Sequence, residues 1–134
     1  MGWTAIARIN VRRHRLGSRV RLVRSDLFSG LEGRAYDVIV CNPPYVTAAA
    51  MRRLPSEYRR EPRIALAGGG DGLDAVRVIL RQAAAHLAPG GTLVMEVGRG
   101  RRRVESVFPR SAFIWAATLG GGDVLIARRE QLPR

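Results

Sequence analysis

The spacing of apolar positions changes several times along the chain. Residues 3–14 (WTAIARINVRRH) place Trp3, Ile6, Ala7 and Val11 on one stripe, which predicts a helix, and Gly17 suits the position just past its end. Val20–Val23 reads as a strand, extending over 20–24, followed by the polar turn Ser25–Asp26. Tyr36–Cys41 is continuously apolar apart from Asp37, the mark of a strand buried on both faces of a parallel sheet. Leu73, Val76, Leu80, Ala83, Ala84 and Leu87 form the apolar face of a helix, with Asp71 as its expected cap, Asp74 in its first turn and Pro89–Gly90–Gly91 as its stop. Leu93–Val97 predicts another buried strand and residues 99–107 a short helix. Two further strands, Phe113–Trp115 and Val124–Ala127, are joined through Gly120–Gly121–Gly122.

Strands alternating with helices predict an α/β sheet that is mostly parallel. The last two strands have no helix between them, so they are expected to form an antiparallel hairpin. Between the strand ending at Cys41 and the helix near Leu73 lies a long segment rich in proline and glycine, with room for a short helix around Ala48–Arg53. A loop of that length is uncommon unless it carries function. Ligands in open α/β sheets gather at the C-terminal ends of strands. Two such ends carry candidate chemistry: Ser25–Asp26 and Asn42–Pro43–Pro44–Tyr45.

Composition narrows the picture. The 134 residues suffice for one modest core, and 46% are hydrophobic, so the chain is expected to fold. No apolar run suggests a membrane span or a signal peptide, which makes a cytoplasmic location the expectation. Cys41 is the single cysteine and reads as a buried structural thiol; His14 and His86 have no metal-ligand spacing. The net charge is +12 and all 23 basic residues are arginine. That charge suits an acidic partner such as ribosomal RNA or DNA, although the total absence of lysine also fits a compositional bias with many solvated arginines. Arg99, Arg101, Arg102 and Arg103 form the densest cluster.

The tetrapeptide at Asn42–Tyr45 has a definite chemical logic. Asn42 offers a side-chain carbonyl oxygen as acceptor. Pro44 forces Pro43 into an extended conformation, so its backbone carbonyl can aim outward. Two converging acceptors suit a planar NH2 group, and the Tyr45 ring can pack on the flat group that carries it. An amide nitrogen is a poor nucleophile because its lone pair is delocalised. Gripping both N–H bonds orients it towards an electrophilic methyl group, which is catalysis by positioning and requires no strong base nearby.

Four segments, SDLF (25–28), YDVIVCNPPYV (36–46), EPRIALAGGGDGLD (61–74) and LAPGGTLVMEVG (87–98), resemble the HemK-like glutamine methyltransferases. NPPY alone is shared with nucleic-acid base methyltransferases, whereas EPxxAL followed by GxDGLD is more specific. LPSEYRREPRIALAGGGDGLD (54–74), FIW (113–115) and RREQL (128–132) resemble the branch acting on large-subunit ribosomal protein L-three more than the release-factor branch. The resemblance implies methylation of a glutamine side-chain amide by S-adenosylmethionine. It implies that Asn42, Pro43, Pro44 and Tyr45 bind the substrate, with Asn42 also beside the donor, and that Asp26, Leu27 and Phe28 line the adenine. Glu61 and Arg63 match the family's EPR segment, as a loop-bracing salt bridge or as substrate contacts.

The family's glycine-rich cofactor loop, its ribose-holding acidic residue and its N-terminal helical domain have no counterpart in these residues. The expectation is therefore a partial methyltransferase catalytic domain over 1–134, a fragment or truncated product with weak or absent cofactor binding of its own. Its sheet would be a truncated Rossmann-like class I methyltransferase sheet. In the family order 3-2-1-4-5-7-6, the segment at 20–24 would be the third strand and 36–41 the fourth, with the first two missing. The 20–24 strand would then slide across to 36–41, or the N-terminal 30 residues would pack poorly, or a second chain would supply the edge. A nucleic-acid base methyltransferase and an inactive RNA-binding remnant are the alternative functions.

Overall fold

In the computed structural model, which describes residues 3–53 and 62–133, the longest strand is β2 (Leu87–Glu96). It pairs in parallel with β1 (Tyr36–Cys41) and antiparallel with β4 (Asp123–Arg128), which in turn pairs antiparallel with β3 (Ile114–Ala117). The four strands stand in the order β1-β2-β4-β3. The C-terminal hairpin is present, with its second strand inserted beside β2, and the order matches the 4-5-7-6 part of the methyltransferase sheet. Helices α1 (Trp3–Arg13), α2 (Ala48–Met51), α3 (Arg63–Leu66), α4 (Asp74–Gln82) and α5 (Arg101–Val107) complete the described elements with two 3-10 turns, Ala83–His86 and Arg129–Gln131. The chain divides into two compact units, Met1–Glu32 and Gly33–Arg134.

The core of the second unit follows from period. In β2 and the residue after it, Leu87, Leu93, Met95 and Val97 are buried on one face, joined by Leu125 and Ala127 of β4. Val76, Ile79, Leu80 and Ala83 recur at helical spacing along α4 and the turn after it, and all are buried, as is Val104 of α5. The opposite sheet face is apolar and open. Val38, Val40 and Ile114 are 57%, 74% and 57% exposed. The β1–β2–β4–β3 register aligns Val40 with Val94, Val94 with Ile126 and Ile126 with Ile114. The expectation that β1 is buried on both faces is therefore corrected: only one of its faces is covered.

Three further expectations change. Residues 20–24 are not a strand, and Val20, Leu22 and Val23 are 38%, 38% and 41% exposed. A strand exists only by pairing, and β1 pairs with β2 alone among the described strands. In the first unit, Phe28 is the one buried residue among those described. Asp71 does not cap α4. The cap residue is Leu73, and the Asp71 carboxylate instead accepts its N–H at 3.0 Å. Pro89–Gly90–Gly91 lies inside β2, not at a helix end, because α4 gives way to the 3-10 turn before it. The register against β1 jumps there, from Tyr36↔Leu87 to Val38↔Thr92. Gly91 fits because a Cβ would come 3.0 Å from the Tyr36 carbonyl oxygen and 3.1 Å from that of Asp37.

Candidate functional site

Asn42–Tyr45 leaves the C-terminal end of β1, where Cys41 is paired with Met95 of β2. Asn42 is exposed, Pro43 is buried, and Pro44 and Tyr45 are half-buried. The Asn42 side chain has no hydrogen-bond partner among the described residues. Burial pushes the Cys41 thiol up to about 11, so next to the site it stays protonated and unreactive near neutral pH.

The chain leaving the tetrapeptide is held by the loop before α4. Val46 forms a parallel bridge with Ala67; its N–H donates to the Leu66 carbonyl at 2.9 Å and its carbonyl accepts from Gly68 N–H at 2.9 Å. Ala48 N–H donates to the Gly69 carbonyl at 2.9 Å, and Thr47 Oγ1 accepts from Ala50 N–H at 3.2 Å, capping α2. Glycines make this approach feasible. A Cβ on Gly68 would stand 2.8 Å from the Pro44 carbonyl oxygen, and one on Gly72 would collide with the Tyr45 carbonyl oxygen. Asp71, between them in this loop, is clamped by a two-pronged ion pair with Arg77 of α4. The Arg77 guanidinium holds the Asp71 carboxyl down at about 2, helped by the Leu73 N–H.

A third glycine reaches the site from the neighbouring strand. Gly98, just beyond β2, has φ +57, and a Cβ there would lie 2.6 Å from Tyr45 Cε2 and 2.7 Å from Cδ2. The Tyr45 ring thus packs on bare backbone. That backbone is pinned: Gly98 O accepts from Asp123 N–H at 2.6 Å, Val97 N–H donates to Asp123 O at 3.0 Å, and Arg101 N–H donates to Asp123 Oδ2 at 3.1 Å. Gly68, Gly72 and Gly98 pack against the candidate tetrapeptide, and the sequence reading did not assign them. The available signal was position, since each lies in a segment that carried the family resemblance.

The second expected element lies in the first unit. Ser25 Oγ donates to the Leu27 carbonyl at 2.8 Å and accepts from Gly30 N–H at 2.7 Å, closing a tight turn in which Leu27 has φ +48. Asp26 and Leu27 are exposed and Phe28 is buried. Glu61 lies outside the described residues, as does the Arg63 side chain. Among the described residues no cluster of histidine, cysteine or carboxylates could hold a metal ion.

Residues 3–70, half of the chain, match the family described as the methyltransferase small domain. The chain belongs to that family. Curated relatives of this chain carry a more specific name. It is 50% identical over 128 residues to the ribosomal protein uL3 glutamine methyltransferase of Neisseria meningitidis serogroup B, which covers 95% of this chain and 42% of the relative. The protein of the same name from Bordetella pertussis is 48% identical over 128 residues, 95% of this chain and 43% of the relative. That of Bradyrhizobium diazoefficiens is 50% identical over 117 residues, 87% of this chain and 37% of the relative. The chain thus spans well under half the length of these relatives.

Membership implies S-adenosylmethionine as the methyl donor. The described residues supply only part of what such a molecule requires. Gly98–Arg99–Gly100 does stand between a strand and a helix, but Gly98 is filled by the Tyr45 ring, and a Cβ on Gly100 would be 2.7 Å from the Val97 carbonyl oxygen. Neither glycine opens a cradle for a ligand.

Proposed function

We propose that residues 1–134 are a partial methyltransferase catalytic domain supplying the amide-holding part of a glutamine methyltransferase that acts on ribosomal protein L-three (uL3). One observation carries this reading: Asn42, just past the end of β1, is exposed and without a hydrogen-bond partner among the described residues, three residues before a Tyr45 ring set against the Gly98 backbone. The shared name of the relatives supports the choice of substrate. Asn42 Oδ1 accepts one N–H of the glutamine amide and the Pro43 carbonyl accepts the other, while Tyr45 packs on the amide plane. S-adenosylmethionine supplies a methyl group on a positively charged sulfur. Holding both hydrogens in plane leaves a face of the nitrogen clear for that methyl, and as the N–C bond formed the nitrogen would release one of its two protons past the acceptor that holds it to solvent. The same reading places the protein in the cytoplasm and gives its arginine-rich surface contact with ribosomal RNA. No described helix is long and apolar enough to cross a membrane.

The test is a chimera in which this chain replaces the aligned part of the Neisseria relative, assayed with a labelled methyl donor on uL3, release factor and nucleic acid. Label is expected on uL3, and Asn42→Ala should lower turnover by roughly 100-fold, as for other preorganised polar groups. Label only in nucleic acid, or near-normal turnover of Asn42→Ala, would overturn the reading.

A further inference from the structure

The turn that fixes Tyr45 continues directly into the densest run of positive charge in the chain. Gly98 touches the ring, Arg99 follows, and Arg101, Arg102 and Arg103 open α5. All four arginines are exposed. Arg101 is engaged, pairing with Glu105 at 2.9 Å and lying 5.5 Å above the Trp115 ring centroid. Arg99, Arg102 and Arg103 have no ion-pair partner among the described residues. The Arg99 guanidinium lies along the β3–β4 turn, with Nη2 3.6 Å from where a Cβ on Gly121 would stand. The run is held in place, because Asp123 binds the backbone at both Gly98 and Arg101.

A merely solvated face does not require this arrangement. Like charges packed without counter-charges repel, and the Asp123 bonds to Gly98 and Arg101 hold the turn that carries Arg99 and the start of the helix that carries Arg102 and Arg103. The strip begins one residue from the ring that packs on the substrate amide. We infer that Arg99, Arg102 and Arg103 form a docking strip for the phosphate backbone of single-stranded RNA, running from the rim of the amide site. This rests on the proposed function only for what occupies Asn42–Tyr45. Two features favour RNA over an acidic peptide. The half-buried Trp115 with Arg101 stacked above it provides the aromatic and cationic pairing that suits bases and phosphates together. The net charge of +12 gives long-range attraction to a partner of high linear charge density. A glutamine substrate that reaches the site in company with RNA would then be anchored beside it.

The test measures fluorescence anisotropy of a labelled 12-nucleotide single-stranded RNA with the 134-residue chain over a range of salt concentrations. The Arg99→Ala/Arg102→Ala/Arg103→Ala variant is compared with Arg8→Ala/Arg12→Ala/Arg13→Ala, which removes the same charge from exposed positions of α1. Circular dichroism checks that both variants fold. The strip variant should bind at least about tenfold more weakly, with a log–log salt slope reduced by about two, while the α1 variant stays within about threefold. Equal losses would show diffuse charge and overturn the proposal, as would undetectable RNA binding by the parent chain. Tighter binding of a poly-glutamate peptide than of RNA would overturn it in favour of an acidic protein partner. No arm depends on methyl transfer, so an inactive chain leaves the result readable.

Discussion

Gly98→Ala isolates the contact that fixes Tyr45. The added Cβ would start 2.6 Å from Cε2 and 2.7 Å from Cδ2 of the ring. Carbon atoms rest at about 3.5–4.0 Å, so ring and turn must separate by about 1 Å. Retreat of the turn is opposed, because Gly98 O and Arg101 N–H are both bound to Asp123. The ring is therefore the part that yields. Overpacking of this kind costs about 1–3 kcal/mol, and holding alanine at φ +57 adds about 1 kcal/mol. Urea unfolding followed by tryptophan fluorescence should show a loss of about 2–4 kcal/mol, from these two terms. In a Tyr45→Ala background the clash has no partner, so Gly98→Ala should cost only the backbone part, about 1 kcal/mol. A cost equal in the two backgrounds within about 0.5 kcal/mol would refute the packing argument. In the chimeric enzyme, displacing Tyr45 by about 1 Å should lower turnover on the order of 100-fold.

Three other outcomes follow from the same structure. The Asp71 carboxyl is held at about 2 by Arg77, below its unfolded value. The pair therefore stabilises the fold above the unfolded carboxylate range and its contribution is lost as pH falls towards 2; Asp71→Asn should flatten that part of a stability-versus-pH curve, and an unchanged acid limb would show that the pair is not linked to folding. Leu93→Ala removes a fully buried side chain and should cost about 2–5 kcal/mol in urea unfolding, whereas Val40→Lys, at a position 74% exposed, should change stability by about 0.5 kcal/mol or less; a large loss from Val40→Lys would mean that the open sheet face is covered in solution. Calorimetry of the 134-residue chain with S-adenosylmethionine should show weak or no binding, since the glycine loop and ribose carboxylate have no counterpart in it; micromolar affinity would contradict that.

Where the sequence was legible, local pattern and tertiary outcome agreed. β2 alternates in its second half, and α4 repeats its apolar residues at helical spacing around Val76, Ile79 and Leu80. Neither depends on the rest of the protein for its pattern. Residues 20–24 look no less like a strand, but a strand is a relation between two segments, and no neighbour pairs with this one. The apolar run Tyr36–Cys41 carries the composition of a doubly covered strand, while the register leaves Val38 and Val40 on the open face.

The site divides along the same line. Asn42, Pro43, Pro44 and Tyr45 stand out in sequence because the chemistry proposed for them is local: an acceptor side chain, an extended proline and an aromatic ring at one strand end. Gly68, Gly72 and Gly98 do not, because a glycine is required wherever some distant atom comes too near, and sequence does not name that atom. The structure names it: Tyr45 for Gly72 and Gly98, and for Gly68 the Pro44 carbonyl together with the equally close Gly72 backbone. Asp71 is similar. Its distance from the helix start read as a cap, whereas its carboxylate accepts the Leu73 N–H and, beyond any cap, a charged two-pronged bond from Arg77 of α4. The AGGGDG segment is thus a mould for the tetrapeptide, closed by an ion pair. Substitutions in the mould should therefore act on the proposed amide site without touching substrate, and their effects should couple to those at Tyr45.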